Sequence, residues 1–125
     1  MKHYTFSKAE KLKSKAQIER LFLEGKSVTF YPLKLIYQST PLVTHKGIIA
    51  SVSVSKKLYK KATDRNRIKR LLREAYRLNK PMVFNNIEGD FAVMILYLGK
   101  EMPSFEKMNS HMKRLLEKFI TSIKE

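Results

Sequence analysis

Arg65-Asn66-Arg67-Ile68-Lys69-Arg70-Leu71-Leu72-Arg73-Glu74 stands at the centre of the most basic part of the chain. From Ser55 to Lys80 there are eleven Lys and Arg residues against Asp64 and Glu74, a net charge of +9 (eleven minus two) out of +15 for the whole chain. The same stretch carries apolar residues at helical spacing. At about 100° per residue, Ile68, Leu71, Leu72, Ala75 and Leu78 share one arc, and Arg65, Asn66, Lys69, Arg70, Arg73 and Arg77 share the other. One face is expected to enter a core and the other to meet a partner. Thr63 and Asp64 are placed to cap this helix and complement its dipole; it is expected to run to about Asn79, with Pro81 just beyond.

Working outward, Ile48, Ala50, Val52 and Val54 alternate with Ile49, Ser51, Ser53 and Ser55, as in a half-buried strand. Before it, Val28 to Gln38 is rich in β-branched and aromatic residues, with Pro32 placed to bend or split the strand. These two strands are expected to pair antiparallel through a turn at Thr40 to Lys46. Ser14 and Gln17 have capping-box spacing ahead of Ile18, Leu21 and Phe22, and Gly25 supplies a stop, so a short amphipathic helix opens the chain. Asp90 to Leu98 is nearly continuously apolar, as a strand buried on both faces would be. Pro103 and Ser104 open a last helix with Phe105, Met108, Met112, Leu115, Leu116, Phe119 and Ile123 on one face. The expected fold is an α/β (α+β) sandwich in the order α-β-β-β-α-β-α, with helices on a small mixed sheet, forming one domain over residues 1–125.

Composition narrows the partner. A sequence pI near 10.1, with 26 basic residues against 11 acidic ones, implies a polyanion, and nucleic acid before an anionic membrane. Lys56, Lys57, Lys60 and Lys61 extend the positive surface toward the N-terminus of the basic helix, where free backbone N–H groups also favour anions. Arg forks grip phosphate oxygens, and the Asn66 amide can donate to phosphate or a 2′-hydroxyl and accept from a base. With no cysteine, disulfides and thiolate chemistry are excluded. No apolar h-region follows the basic residues of Met1 to Lys15, and Phe91 to Leu98 is too short to span a bilayer; the chain is expected to be soluble and cytoplasmic.

Ser53-Val54-Ser55-Lys56-Lys57, then Ala62 and Arg65-Asn66-Arg67-Ile68-Lys69-Arg70-Leu71-Leu72-Arg73, resemble the signature of the protein subunit of bacterial ribonuclease P. Phe22 ahead of Gly25 extends the likeness. Leu58-Tyr59-Lys60-Lys61 departs from it, replacing an apolar-Gly-Asn pattern with a loop one residue longer. Ile18 also stands where many members have an aromatic residue. The resemblance implies a subunit that binds a catalytic RNA and the 5′ leader of precursor tRNA and promotes removal of the leader. It further implies hydrolysis by Mg2+ ions of the RNA subunit, no protein catalytic residues, no protein-bound cofactor or metal, no obligate protein partner, and a left-handed βαβ crossover.

The residues are consistent with a chemistry that lies elsewhere: no His or carboxylate cluster has metal-ligand spacing, and no nucleophile stands beside a base. His3, His45 and His111 are scattered, and Asp90 and Glu88 suit a turn before a strand. In the resemblance, the contacts to the catalytic RNA carry to Arg65, Asn66, Arg67, Lys69, Arg70 and Arg73, with Lys56 and Lys57 beside them. Leader binding in a cleft between the first helix and the sheet needs rings next to cations, for which Phe22, Tyr37, Ser51 and Ser53 are the candidates, with Phe6 as a possible cover. The alternative is a general RNA-binding or ribosome-associated chaperone domain, which shares the basic helix but depends on no single RNA.

Overall fold

The computed structural model describes residues 15–39 and 47–124. His3, Phe6, Ser14 and the Thr40–Lys46 turn with His45 lie outside the described residues. The elements follow the expected order: α1 (Lys15–Glu24), β1 (Lys26–Phe30), β2 (Leu33–Ser39), β3 (Ile48–Val54), α2 (Ala62–Phe84), β4 (Phe91–Tyr97) and α3 (Phe105–Lys124).

Pro32 splits the first strand completely. The chain reverses at Tyr31-Pro32, whose peptide is cis, and β1 and β2 form an antiparallel hairpin with Val28 opposite Leu35 and Phe30 opposite Leu33. Proline has no N–H to give to a ladder, so it belongs in the turn.

The sheet order is β1-β2-β4-β3. The expected antiparallel pairing of the first two strand regions is therefore wrong: β4 lies between them, antiparallel to β2 and parallel to β3. The physical reason is visible in the side chains. Residues 91–95 of β4 are buried one after another, so this strand needs cover on both faces, whereas β3 carries half-exposed Ser51 and Ser53 and tolerates the edge.

The two sheet faces bury different clusters. On one, Leu33, Leu35 and Tyr37 of β2, Ile48 and Ala50 of β3, and Val93 and Ile95 of β4 meet Ile68, Leu72 and Ala75 of α2 and Met112, Leu115 and Phe119 of α3. On the other, Leu21 of α1 packs with Ile36, Ala92 and Met94, flanked by Ile18, Ile49 and Leu96. Each fully buried large apolar side chain contributes about 1.5–3 kcal/mol, so the two-helix face dominates stability. Gly25 lets α1 approach the second face closely. A Cβ there would run into the Leu21 carbonyl oxygen and lie 2.8 Å from Ile36 Cγ2.

The basic helix begins and ends differently from expectation. Its N-cap is Lys61, with no side-chain cap, so neither Thr63 nor Asp64 caps it; Asp64 lies in its first turn. It continues past Asn79 and carries Pro81 inside, ending at Phe84, where Asn85 N–H donates to the Pro81 carbonyl. Proline removes a helical hydrogen bond there. The fully buried Val83, with Met82 and Phe84 against the same core, supplies the compensating burial. The last helix starts as the sequence indicates, Ser104 Oγ accepting from Lys107 N–H at 3.2 Å.

Candidate nucleic-acid interface

The apolar arc of α2 buries Ile68, Leu72, Ala75, Tyr76 and Val83. Leu71 is partly buried, but Leu78 is 37% exposed and lies outside the core. Opposite them, Asn66, Arg67, Arg70 and Arg73 are exposed, and Lys69 is intermediate. None of these five makes an ion pair or side-chain hydrogen bond among the described residues. Arg77 does: it pairs with Glu74, and that hydrogen bond holds the Glu74 carboxyl below its ordinary range. Lys80 leaves the surface altogether, being buried with Nζ 5.6 Å from the Phe84 ring centroid.

Arg65 also departs from the expected outer arc. Three residues before Ile68, it falls only about 60° round the helix from it, on the core side. There it is half-buried, and Nη1 donates to the carbonyls of Tyr59 at 2.7 Å and Lys60 at 2.9 Å. It clamps the loop between β3 and α2. The exposed Lys56 and Lys57 belong to that loop, which Ser55 shapes by accepting Lys57 N–H on its hydroxyl and Tyr59 N–H on its carbonyl.

Tyr59, part of the loop that departs from the family pattern, anchors it from the other side. Its hydroxyl donates to the Gly99 carbonyl at 2.8 Å, and its ring centroid lies 6.3 Å from that of Tyr97. Burial, with help from Tyr59, Tyr31 and Glu101, pushes Tyr97 up from 10.0 to about 12. Burial raises Tyr59 as well. The sign is definite: a raised folded-state value favours the neutral phenol, so this stabilisation is complete below pH 10.0 and is lost as pH rises through about 12. At about 1.4 kcal/mol per unit, the loss for Tyr97 is of order 3 kcal/mol. Denaturant titrations at stepped alkaline pH should show it, and Tyr97→Phe should flatten the decline. An equally steep decline in Tyr97→Phe would reject the account.

The leader-binding candidates do not all meet. Phe22, on α1, is 50% exposed. Ser51 and Ser53 lie on the α1 face of the sheet, half-exposed, because α1 covers β2 and β4 without contacting β3. Tyr37 faces the other way. It is 6% exposed, its ring centroid lies 5.0 Å from that of Phe119, and its hydroxyl hydrogen-bonds Ser122 Oγ. Its aromatic character therefore serves the core. The register instead aligns Ser53 with Leu96 and Leu96 with Lys34, and Ser51 with Met94 and Met94 with Ile36, forming two rows on the α1 face, of which Met94 and Ile36 are buried. Lys34 supplies a cation that the alternation against Leu33 and Leu35 had already put on this side.

Among the described residues no three of His, Asp, Glu or Cys come together as a metal cluster. Asp90 has the expected turn role, its Oδ1 accepting Gly47 N–H at 2.8 Å at the head of β3, where Gly47 has a positive φ of 107°. No helix is long and apolar enough to cross a membrane among the described residues.

Comparison with known proteins places this geometry. The family model for ribonuclease P matches residues 6–120. The ribonuclease P protein component of Porphyromonas gingivalis is 34% identical over 118 residues, covering 90% of this chain and 85% of that protein. The component from Chlorobaculum tepidum is 35% identical over 127 residues, covering 92% and 82%. Among solved structures, the Staphylococcus aureus RNase P protein superposes with a TM-score of 0.72 at 22% identity, covering 90% of this chain and 96% of that one. The Thermotoga maritima protein gives 0.69 at 24%, with 87% and 96% covered. At these identities the structural likeness bears on the fold.

Proposed function

The chain belongs to the ribonuclease P protein family and works with the RNA of that tRNA-processing endoribonuclease; from this premise we propose that it docks the RNA on the outer face of α2 and holds precursor tRNA by its 5′ leader. The observation that carries the docking assignment is the set of five α2 side chains, Asn66, Arg67, Lys69, Arg70 and Arg73, without an ion pair or side-chain hydrogen bond among the described residues, on a helix whose opposite face is core. Unpaired guanidinium groups on a rigid helix lose little conformational freedom when they grip phosphate oxygens in pairs.

The leader is assigned to the open face beside α1. Phe22 offers a ring for stacking, Ser51 and Ser53 offer hydroxyls, and Lys34, Lys56 and Lys57 offer charge. Hydrolysis is assigned to Mg2+ held by the RNA, and this chain positions both RNAs without exchanging a proton with substrate.

The test combines the full chain with a bacterial ribonuclease P RNA and precursor tRNA at low magnesium. Cleavage at the mature 5′ end should be stimulated. Phe22→Ala should weaken binding of a long-leader precursor by about tenfold, the scale of one base–ring stack, and leave a single-nucleotide leader unaffected. Equal affinity for unrelated RNA, with no stimulated cleavage, would favour the general chaperone reading.

A further inference from the structure

The loop that carries Lys56 and Lys57 ends against a second feature of the same sheet end. Leu33, Tyr97 and Val54 are register partners across β2, β4 and β3, so the β1–β2 turn, the segment after β4 and the loop after β3 all emerge side by side. The Tyr59 to Gly99 hydrogen bond ties the last two together. Beyond Gly99 lies an open recess of about 290 Å3, lined among others by Tyr31, Tyr97, Lys100, Met102, Lys107 and His111.

Two observations make this recess more than a surface dent. Tyr31, at the hairpin turn, is 65% exposed, and Met102 beside it is 36% exposed, so an aromatic ring and a thioether stand in water without a core role. Lys100 and Lys107, both exposed, flank them, and Glu101 is the acid in the lining. A free ring between cations matches what an unpaired nucleotide needs: a platform for its base and charge for the phosphates on either side. The volume lies at the small end of ligand recesses and suits one nucleotide.

We propose that RNA crossing the Lys56–Lys61 loop continues over this sheet end and places one unpaired base on Tyr31, with Lys100 and Lys107 neutralising the adjoining phosphates. The proposal rests on the docking assignment for α2, because it extends that surface. A duplex does not satisfy the site, since its bases are stacked away from Tyr31. An acidic peptide satisfies it less well: it brings no flat ring, and Glu101 repels its carboxylates, whereas Glu101 accepts hydrogen bonds from a base amino group or a 2′-hydroxyl.

The experiment uses the full chain with a fluorescein-labelled, adenine-rich single-stranded RNA of about twelve nucleotides, within the site sizes of single-strand binders. Tyr31→Ala should weaken binding by about tenfold, and Tyr31→Phe should restore it, because stacking needs the ring and not the hydroxyl. Lys100→Gln with Lys107→Gln should lower the slope of log affinity against log salt by about 1.4, or about 0.7 per phosphate contact. The melting temperature should stay unchanged in all three.

Wild-type binding by Tyr31→Ala, or a loss in Tyr31→Phe equal to that in Tyr31→Ala, would overturn the proposal. So would tighter binding of a polyglutamate peptide that Tyr31→Ala abolishes, which would assign the recess to an acidic protein. Arg70→Ala with Arg73→Ala, run in parallel, separates the two levels. Loss there with no effect at the recess defeats the extension alone, and no loss there defeats the α2 docking assignment itself.

Discussion

Replacing Arg67, Arg70 and Arg73 together by glutamine is expected to weaken binding to ribonuclease P RNA by about 10³-fold near physiological salt, with no loss of thermal stability. The size follows from three charge-assisted contacts of about 1.5 kcal/mol each, at the lower end of their range, with about 1.4 kcal/mol per factor of ten. The unchanged melt follows from the structure, because these guanidinium groups are exposed and have no partner to lose among the described residues. Removing three positive charges from a chain of net charge +15 should, if anything, relieve self-repulsion. The salt slope should fall by about 2–3, or about 0.7–0.9 for each contact removed. Filter binding across a salt series, with a melt of each variant, reads all three quantities.

Arg65→Gln supplies the contrast within the same motif. Its Nη1 bonds the carbonyls of Tyr59 and Lys60, so its loss should loosen the loop as well as reduce affinity. A drop in melting temperature is expected for Arg65→Gln and not for the triple variant. Identical behaviour of the two would mean that the motif is electrostatically uniform and that the clamp contributes nothing.

Arg65 also shows where sequence reading succeeds and where it stops. Helical periodicity located the core face of α2 from Ile68, Leu72 and Ala75, because burial of that stripe is a local property of a 3.6-residue repeat. The charge of Arg65 points to the outer face, although its angular position is inward, and the carbonyls that hold it belong to a loop whose path no periodicity describes. The strand partners were illegible for a related reason. Alternation in β3 says which side chains face inward, but the insertion of β4 between β2 and β3 depends on a contact made more than thirty residues later in the chain.

Tyr37 lies in the core, where leader binding asks for an open ring, because an aromatic residue in a strand has the same composition on either face. The face itself is readable, since Tyr37 follows Leu33 and Leu35 at two-residue spacing and so shares their face, and both are fully buried. Lys34 was legible by the same rule read in reverse. The continuation of α2 through Pro81 was not, because the burial of Val83 against the core that compensates for it is tertiary.

Phe119→Ala is expected to remove about 3–5 kcal/mol of stability, a large share of the 5–15 kcal/mol typical of a domain, and to lower the melting temperature by about 10–20 °C. Phe119 is fully buried, with its ring centroid 5.0 Å from that of Tyr37 and 5.8 Å from that of Phe91, both edge-on. Its removal opens a cavity where α3 meets β2 and β4. The same variant tests whether docking is a property of the folded surface. RNA that binds the native state and not the unfolded chain stabilises it by about 4 kcal/mol at a thousandfold excess over the dissociation constant. Saturating RNA should therefore return most of the lost melting temperature in Phe119→Ala, and should raise that of the Arg67, Arg70 and Arg73 variant little, because its fold is intact but its grip is gone. If RNA bound the wild type tightly yet left the melt of Phe119→Ala unmoved, affinity would not depend on the fold. The basic stretch would then act as a flexible polycation, contrary to the fixed helical face that its burial pattern describes.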